Sequence, residues 1–223
     1  MSSELKKRII TSFLLFTLFI LMHFYNYVLI LSLIVIGILS WIEFNSLIVK
    51  IYKKNNYKNI ALRFIFKSTS LIYLSFIIVI IIASKINLSQ LYIGLLFTIS
   101  ISIMTDIGGL VVGKTFKGKK LTKISPKKTI SGSIGSFIFS LFLIPFFFNY
   151  LHLGQYSILN FVLYTLFISL ISQLGDLIIS FIKRKANVKD TSNLLPGHGG
   201  VLDRIDGIIF VIPCGFIFFN YII

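Results

Sequence analysis

Acidic side chains are scarce in this chain of 223 residues: seven Asp and Glu stand against 22 Lys and Arg, leaving a net charge of +15. There is one cysteine, Cys214, which excludes a disulfide framework within the chain and a cysteine-rich zinc site, and leaves the redox compartment open. Only four prolines punctuate the sequence. Charged residues make up 13% and hydrophobic ones 56%, with a mean hydropathy of +0.93, which is more apolar side chain than one soluble core of this size would bury. No internal repeat, low-complexity tract or soluble domain stands out.

What is present instead is a series of apolar runs at 9–24, 27–47, 65–84, 91–112, 132–151, 156–182 and 207–222. Each approaches or exceeds the roughly 20 residues that cross a bilayer. The expected fold is all-α: a polytopic integral membrane protein with about seven transmembrane helices. Lys6, Lys7 and Arg8 precede the first run as in a signal peptide, but no small-residue cleavage site follows, so a retained first helix is expected. With the N-terminus in the cytoplasm, 21 of the 22 basic residues fall in cytoplasmic segments, and Lys85 and the uncharged 149–155 connection face outward. This topology accounts for the positive charge without nucleic acid as a partner, and makes membrane lipids with anionic headgroups the natural surface.

The seven acids are Glu4, Glu43, Asp106, Asp176, Asp190, Asp203 and Asp206. All five aspartates fall at or near cytoplasmic helix ends or in cytoplasmic loops. Asp106 and Asp176 lie within apolar spans, where an ionised carboxylate is costly unless it meets a polar cavity or a partner. Asp176, Ser180 and Lys183 are spaced i, i+4, i+7, along one helix face. Asp203 and Asp206 are spaced i, i+3, and two like charges so close call for a cation. Magnesium is the economical choice, because it binds one or two carboxylates and completes its shell with substrate phosphates; a second cation is admitted beside it. No His and Cys set has zinc spacing.

The acids divide the chain into a 1–100 region of N-terminal transmembrane helices and a 101–223 region that carries the chemistry, with basic loops at 114–131 and 183–206. Pro196-Gly197-His198-Gly199-Gly200 cannot continue a helix, and its glycines let backbone amides approach phosphate oxygens. Gly113 to Lys120 departs from a Walker A loop, since Lys119 is followed by Lys120 where Ser or Thr is required. Ser125-Pro126-Lys127-Lys128-Thr129 presents two hydroxyls and two amines beside the start of the fifth span, where a polyphosphate could be held.

Ser180-Phe181-Ile182-Lys183-Arg184, then Lys189-Asp190, Ser192, Leu195, Pro196, His198-Gly199-Gly200 and Asp203-Arg204-Ile205-Asp206 together resemble the full motif of the phosphatidate cytidylyltransferases, also called CDP-diacylglycerol synthases. Gly175-Asp176-Leu177, the Ser125 to Thr129 loop and Asp106 before a glycine-rich helix end also resemble that family, so the likeness covers roughly residues 100–223. It departs in two places. Ser131 stands where members usually carry a glutamate, and fewer helices precede the motif than is usual there.

The resemblance implies transfer of CMP from CTP to phosphatidate, giving CDP-diacylglycerol and pyrophosphate, in a bacterial inner membrane with the site on its cytoplasmic side. It further implies a magnesium site at Asp176, Asp203 and Asp206, with Lys183 and His198 also in the catalytic set. Ser125, Lys127, Lys128, Thr129, Ser180, Arg184 and Arg204 would meet substrate oxygens, Gly199 and Gly200 would shape the nucleotide loop, and Lys189 and Asp190 would order it. A homodimer is compatible with this and not specified by it. A CDP-alcohol phosphotransferase is excluded, because Asp206-Gly207 is followed by Ile208, Ile209, Phe210 and Val211 rather than that class's Ala-Arg pattern. A CTP-dependent polyprenol kinase, a CDP-archaeol synthase and a small transporter are the alternatives; a transporter would need polar residues through the bilayer midplane, whereas the outer halves of the spans are almost purely apolar with scattered Ser and Thr.

Overall fold

A computed structural model describes residues 3–87, 89–122, 124–148 and 157–222. The described residues contain no β-strand and form nine helices: α1 Ser3–Phe24, α2 Asn26–Ile51, α3 Tyr57–Asn87, α4 Ser89–Phe116, α5 Ile130–Leu141, α6 Ile144–Phe147, α7 Ile158–Lys185, α8 Leu202–Ile205 and α9 Ile208–Ile222. Five stretches are long and apolar enough to cross a membrane: Asn26–Ile51, Tyr57–Ile86, Gln90–Phe116, Ile130–Phe147 and Ile158–Lys185. Ile9–Phe24 and Ile208–Asn220 are shorter apolar helices. The chain is therefore a helical membrane protein. Among the described residues each apolar run is mostly helix, and the figure of seven spans holds as an approximation. The fifth run is not one continuous helix: α5 stops at Leu141, and the chain turns before α6, which has a proline at its start, Pro145. The 149–155 connection, with the adjoining ends of the fifth and sixth runs, lies outside the described residues.

Two compact units make up the chain, one from 1–86 and 182–205, the other from 87–181 and 206–223. In the first, α2 ends at Ile51, and Arg63 of α3 turns its guanidinium onto the Tyr52 carbonyl, with Nε at 2.8 Å. Asn56 caps α3, its side chain accepting the Asn59 N–H at 3.0 Å. Trp41 of α2 donates to the Lys67 carbonyl at 3.1 Å, and the Lys67 ammonium lies 5.1 Å from the centre of its ring.

The second unit is held by polar and small residues set into apolar helices. Thr98, Ser102 and Thr105 recur at i, i+4, i+7 on α4, and each meets a hydroxyl of α7. Thr98 bonds Tyr164, Ser102 bonds Ser172 at 2.7 Å, and Thr105 bonds Ser169 at 2.8 Å. Where lipid tails are as apolar as the side chains, such hydrogen bonds and close backbone approach replace the hydrophobic drive to associate. Below the ladder, Phe97, Phe161, Tyr164 and Phe219 pack with Ile101, Ile168 and Val211 in a buried cluster.

Small residues also set α4 against α5. A Cβ on Gly108 would come within 2.6 Å of the Gly135 carbonyl, and one on Gly109 within 2.8 Å of the Ser136 hydroxyl, which donates to the Thr105 carbonyl at 2.7 Å. Gly135→Leu is therefore expected to push α5 off Val112 and destabilise the unit by about 1–3 kcal/mol. Thermal unfolding of the detergent-solubilised protein checks this; an unchanged midpoint would mean that this helix pair does not carry the unit.

Candidate active site

The approach of α4 to α5 leaves a cavity of about 490 Å³ in the second unit. Asp106, Gly109 and Gly113 line it from α4, Gly132, Ser133 and Ser136 from α5, Gln173 and Asp176 from α7, and Ser125, Lys127, Lys128 and Thr129 from the loop between. That loop is built by its own backbone. Lys119 accepts from the Ile130 N–H at 3.0 Å and Leu121 donates to the Lys128 carbonyl at 2.8 Å, while Ser125 to Lys128 closes a turn at 3.0 Å with Pro126 in its second position. Thr129 caps α5, accepting the Gly132 N–H at 3.1 Å.

The turn delivers Lys128 to Asp176, with which it forms a half-buried ion pair through Oδ2. Asp176 Oδ1 accepts from Ser180 at 3.2 Å, one helical turn on. Gly175 lets α9 come close beside it. A Cβ there would stand 3.0 Å from the Asp206 carbonyl oxygen and would strike the Phe210 ring. Asp206 is buried and accepts the Gly207 N–H at 2.9 Å.

In the first unit, Leu195 to His198 is a turn closed by His198 N–H on the Leu195 carbonyl at 2.9 Å. Pro196 occupies its second position and Gly197, at φ 76°, its third, the pattern of a type II turn. Beyond it the backbone amides do not remain open for phosphate as the glycines led one to expect. Gly200 N–H donates to Asp203 Oδ2 at 3.0 Å, and Val201 and Leu202 donate to Glu43 at 3.0 and 2.8 Å. Gly200 cannot carry a side chain, because a Cβ would collide with the Thr191 hydroxyl and the Glu43 carboxylate.

Asp203 is the hub of this segment. Oδ1 holds the buried Lys183 ammonium at 2.6 Å, and Oδ2 takes the Thr191 N–H at 2.8 Å as well as Gly200. Burial pushes its carboxyl up, but Lys183 and the Thr191 and Gly200 amides outweigh burial and hold it below the ordinary value. Arg204 Nε donates to the His198 carbonyl at 3.0 Å, Arg184 Nη1 to the Val188 carbonyl at 3.2 Å, and His198 Nε2 stands 3.3 Å from the Ser12 hydroxyl. Lys189 and Asp190 are exposed, with Asp190 beside Gly199.

The structure thus brings Ser125, Lys127, Lys128, Thr129, Asp106 and Asp176 to one cavity, and Lys183, Gly200 and Asp203 to one hydrogen-bonded cluster. Two participants were not apparent from spacing. Glu43 sits on an apolar helix far from the motif in sequence. Gln173 is i−3 from Asp176 and so on its face, a signal that was there to be found. Among the described residues, three buried side-chain polar atoms lack a partner, and two of them, Gln173 Nε2 and His198 Nδ1, belong to these segments. Gln173 Oε1 already accepts from Ser133 at 2.6 Å, so either assignment of the amide leaves one end unmet. A buried unmet donor carries a free-energy cost that a bound acceptor relieves.

Residues 4–222 match the cytidylyltransferase family. The chain belongs to that family. Its curated relatives include the phosphatidate cytidylyltransferase of Bacillus subtilis (strain 168), 42% identical over 129 residues, covering 57% of this chain and 48% of the relative. Those of Rickettsia typhi (strain ATCC VR-144 / Wilmington) and Staphylococcus haemolyticus (strain JCSC1435) are 43% identical over 138 residues and 41% over 122. They are covered to 58% and 46% of their lengths, against 57% and 53% of this chain. The match thus spans about half the length of these relatives. In this cytidylyltransferase, Ser131 has a local role. Ser131 donates to the Lys117 carbonyl, tying the end of α4 to the start of α5, a bond that a carboxylate could not make. The residues lining the cavity do not include it.

The donor set suits a hard cation, to which carboxylate oxygens are the fitting ligands. Among the described residues no group of three or more His, Cys, Asp or Glu is disposed to hold a metal, so any cation must take part of its shell from elsewhere. Because the Asp203 carboxyl is held below its ordinary value of 3.8 in the folded chain, its contribution to stability is complete above that pH and is lost as pH falls through the lowered value. Amide exchange at Thr191 and Gly200, corrected for the intrinsic rate, is expected to stay slow down to about that pH and to quicken below it. Quickening already at neutral pH would remove Asp203 as the hub.

Proposed function

We propose that this cytidylyltransferase is a phosphatidate cytidylyltransferase, acting at the cytoplasmic face of a bacterial inner membrane. The observation that carries this is the cavity in which Lys128 meets Asp176 beside Lys114, Lys127 and Asp106. Cationic side chains and carboxylates together suit a polyanion bound with its counter-cation, and the relatives, being phosphatidate cytidylyltransferases, support phosphatidate as the acceptor of a cytidylyl group, for which CTP is the donor in this reading. In the reaction, an oxygen of the lipid phosphate attacks the α-phosphorus of CTP. The bond from that phosphorus to the bridging oxygen of the β-phosphate breaks, and pyrophosphate leaves with the electron pair. Phosphatidate is already ionised, so no strong base is needed, and catalysis is positioning and charge stabilisation.

Lys128 passes from Asp176 alone to sharing its charge with a phosphate, and Lys127, Ser125 and Thr129 hold further oxygens. Gln173 offers its unmet N–H to the ligand. Asp176 and Asp206 of the second unit would hold a magnesium ion, which would supply neutralisation of the charge that separates the two reactants; Asp203, already matched by its own donors, keeps its segment in order. Lys189, Arg184 and Arg204 give the 183–204 segment affinity for nucleotide phosphate. The basic residues of that segment and of the 114–128 loop support a cytoplasmic location for each.

Purified protein given CTP, phosphatidate and magnesium is expected to release pyrophosphate, and Asp176→Asn to lower kcat by about 100-fold or more at unchanged folding. Lys128→Met is expected to act in the same direction and to raise KM for the phosphate-bearing substrates. Formation of CDP and a lipid monophosphate in place of pyrophosphate would identify a kinase. Turnover of an ether-linked isoprenoid phosphate but not of phosphatidate would reassign the lipid.

A further inference from the structure

Glu43 has no part in the chemistry above, yet it is among the most buried polar residues of the chain, at 2% exposure. It sits within α2, a predominantly apolar helix that would be more stable in a bilayer with leucine at that position. All four donors to its side chain come from a single distant segment. Ser192 Oγ and the Val201 N–H reach Oε1 at 2.6 and 3.0 Å, and Thr191 Oγ1 and the Leu202 N–H reach Oε2 at 2.8 Å each. Thr191 Oγ1 also lies 2.9 Å from Asp203 Oδ2, and Asp203 in turn grips Lys183. The hydroxyl carries one proton, so the connection runs through both donors of Thr191, its O–H to Glu43 and its backbone N–H to Asp203 at 2.8 Å, and on to Lys183, all within the first unit. Gly200 is packed against it so tightly that a methyl group has no room.

We infer that Glu43 is a positioning residue: it holds the 191–202 segment and, through Thr191, whose hydroxyl it accepts and whose amide serves Asp203, sets the Asp203–Lys183 pair in the arrangement that turnover requires. Its effect on turnover rests on the cytidylyltransferase function proposed above, while its hold on the segment does not. The carboxylate is chemically specific. Each of its oxygens faces a backbone N–H, so the amide of a glutamine would set its own N–H₂ against another donor in either orientation.

The test uses the full chain in lipid nanodiscs and three variants: Glu43→Gln, Thr191→Val and Thr191→Ser. In Glu43→Gln, amide exchange across 191–202 is expected to rise about tenfold or more, as donors left unmet would require, while α2 and α3 keep their protection. Pyrophosphate release is expected to fall about 10- to 100-fold, the range seen when groups behind an active site are removed, with kcat carrying the loss. Thr191→Val, which keeps the shape and loses the hydroxyl, is expected to lower kcat at an unchanged thermal midpoint, and Thr191→Ser to restore most of it.

Exchange that rises evenly over the whole unit would make Glu43 a general stabiliser and overturn the inference. So would local loosening with unchanged kcat, or equal activity in Thr191→Val and Thr191→Ser. If the unaltered protein makes no pyrophosphate, the proposed function falls by itself, and the exchange measurement alone then decides whether Glu43 holds the segment.

Discussion

A carboxylate placed in an apolar helical chain persists only where donors meet it, and this constraint organises both units. With seven acids in 223 residues, few polar contacts are incidental. In the second unit Asp176 is met by Lys128 and Ser180, which requires the Ser125 to Lys128 turn to deliver the lysine and Thr129 to cap the helix behind it. In the first, Asp203 and Glu43 between them draw in two hydroxyls, four backbone amides and a lysine, and in doing so shape a loop with little regular structure of its own. The desolvation cost of each charge is offset by short, charge-assisted bonds.

The same economy governs the scaffold. Threonine, serine and glycine on α4 bring α5 and α7 close through hydroxyl pairs and bare backbone. Close approach of small residues leaves no room for bulk between α4 and α5, yet where that face reaches the loop after α4 it opens into a cavity floored by hydroxyls and an amide and edged by lysines. Packing and site are thus consequences of one choice of small polar residues along a helix.

Much of this was legible in the chain. Runs of apolar residues near bilayer length marked the helices, because in hydrocarbon only a helix satisfies its own backbone. The break after Leu141 was not marked, since Phe142 and Leu143 are as apolar as a helix interior and only Pro145 hints at the turn. The lysine-rich loop and the aspartates stood out because ions are rare in such a composition. Ser102 and Thr105 looked like scattered hydroxyls, as their partners are 64 to 70 residues away.

By itself the sequence determined class and a topology signal and pointed to candidates for the chemistry: hydropathy sets which segments leave water, and the rarity of charge singles out the residues proposed to handle phosphate. Tertiary structure alone decided which acid meets which donor. Lys183 lies two turns from Asp176 along the same face of its helix, yet it pairs with Asp203, and Lys128 comes from a separate loop to Asp176. At the end of the glycine segment the Gly200 amide is taken by Asp203, and the Val201 and Leu202 amides that follow are taken by Glu43, about 158 residues distant in sequence. Hydrogen bonds act over 3 Å whatever the separation along the chain, so local spacing can propose such partners but only the folded chain selects among them.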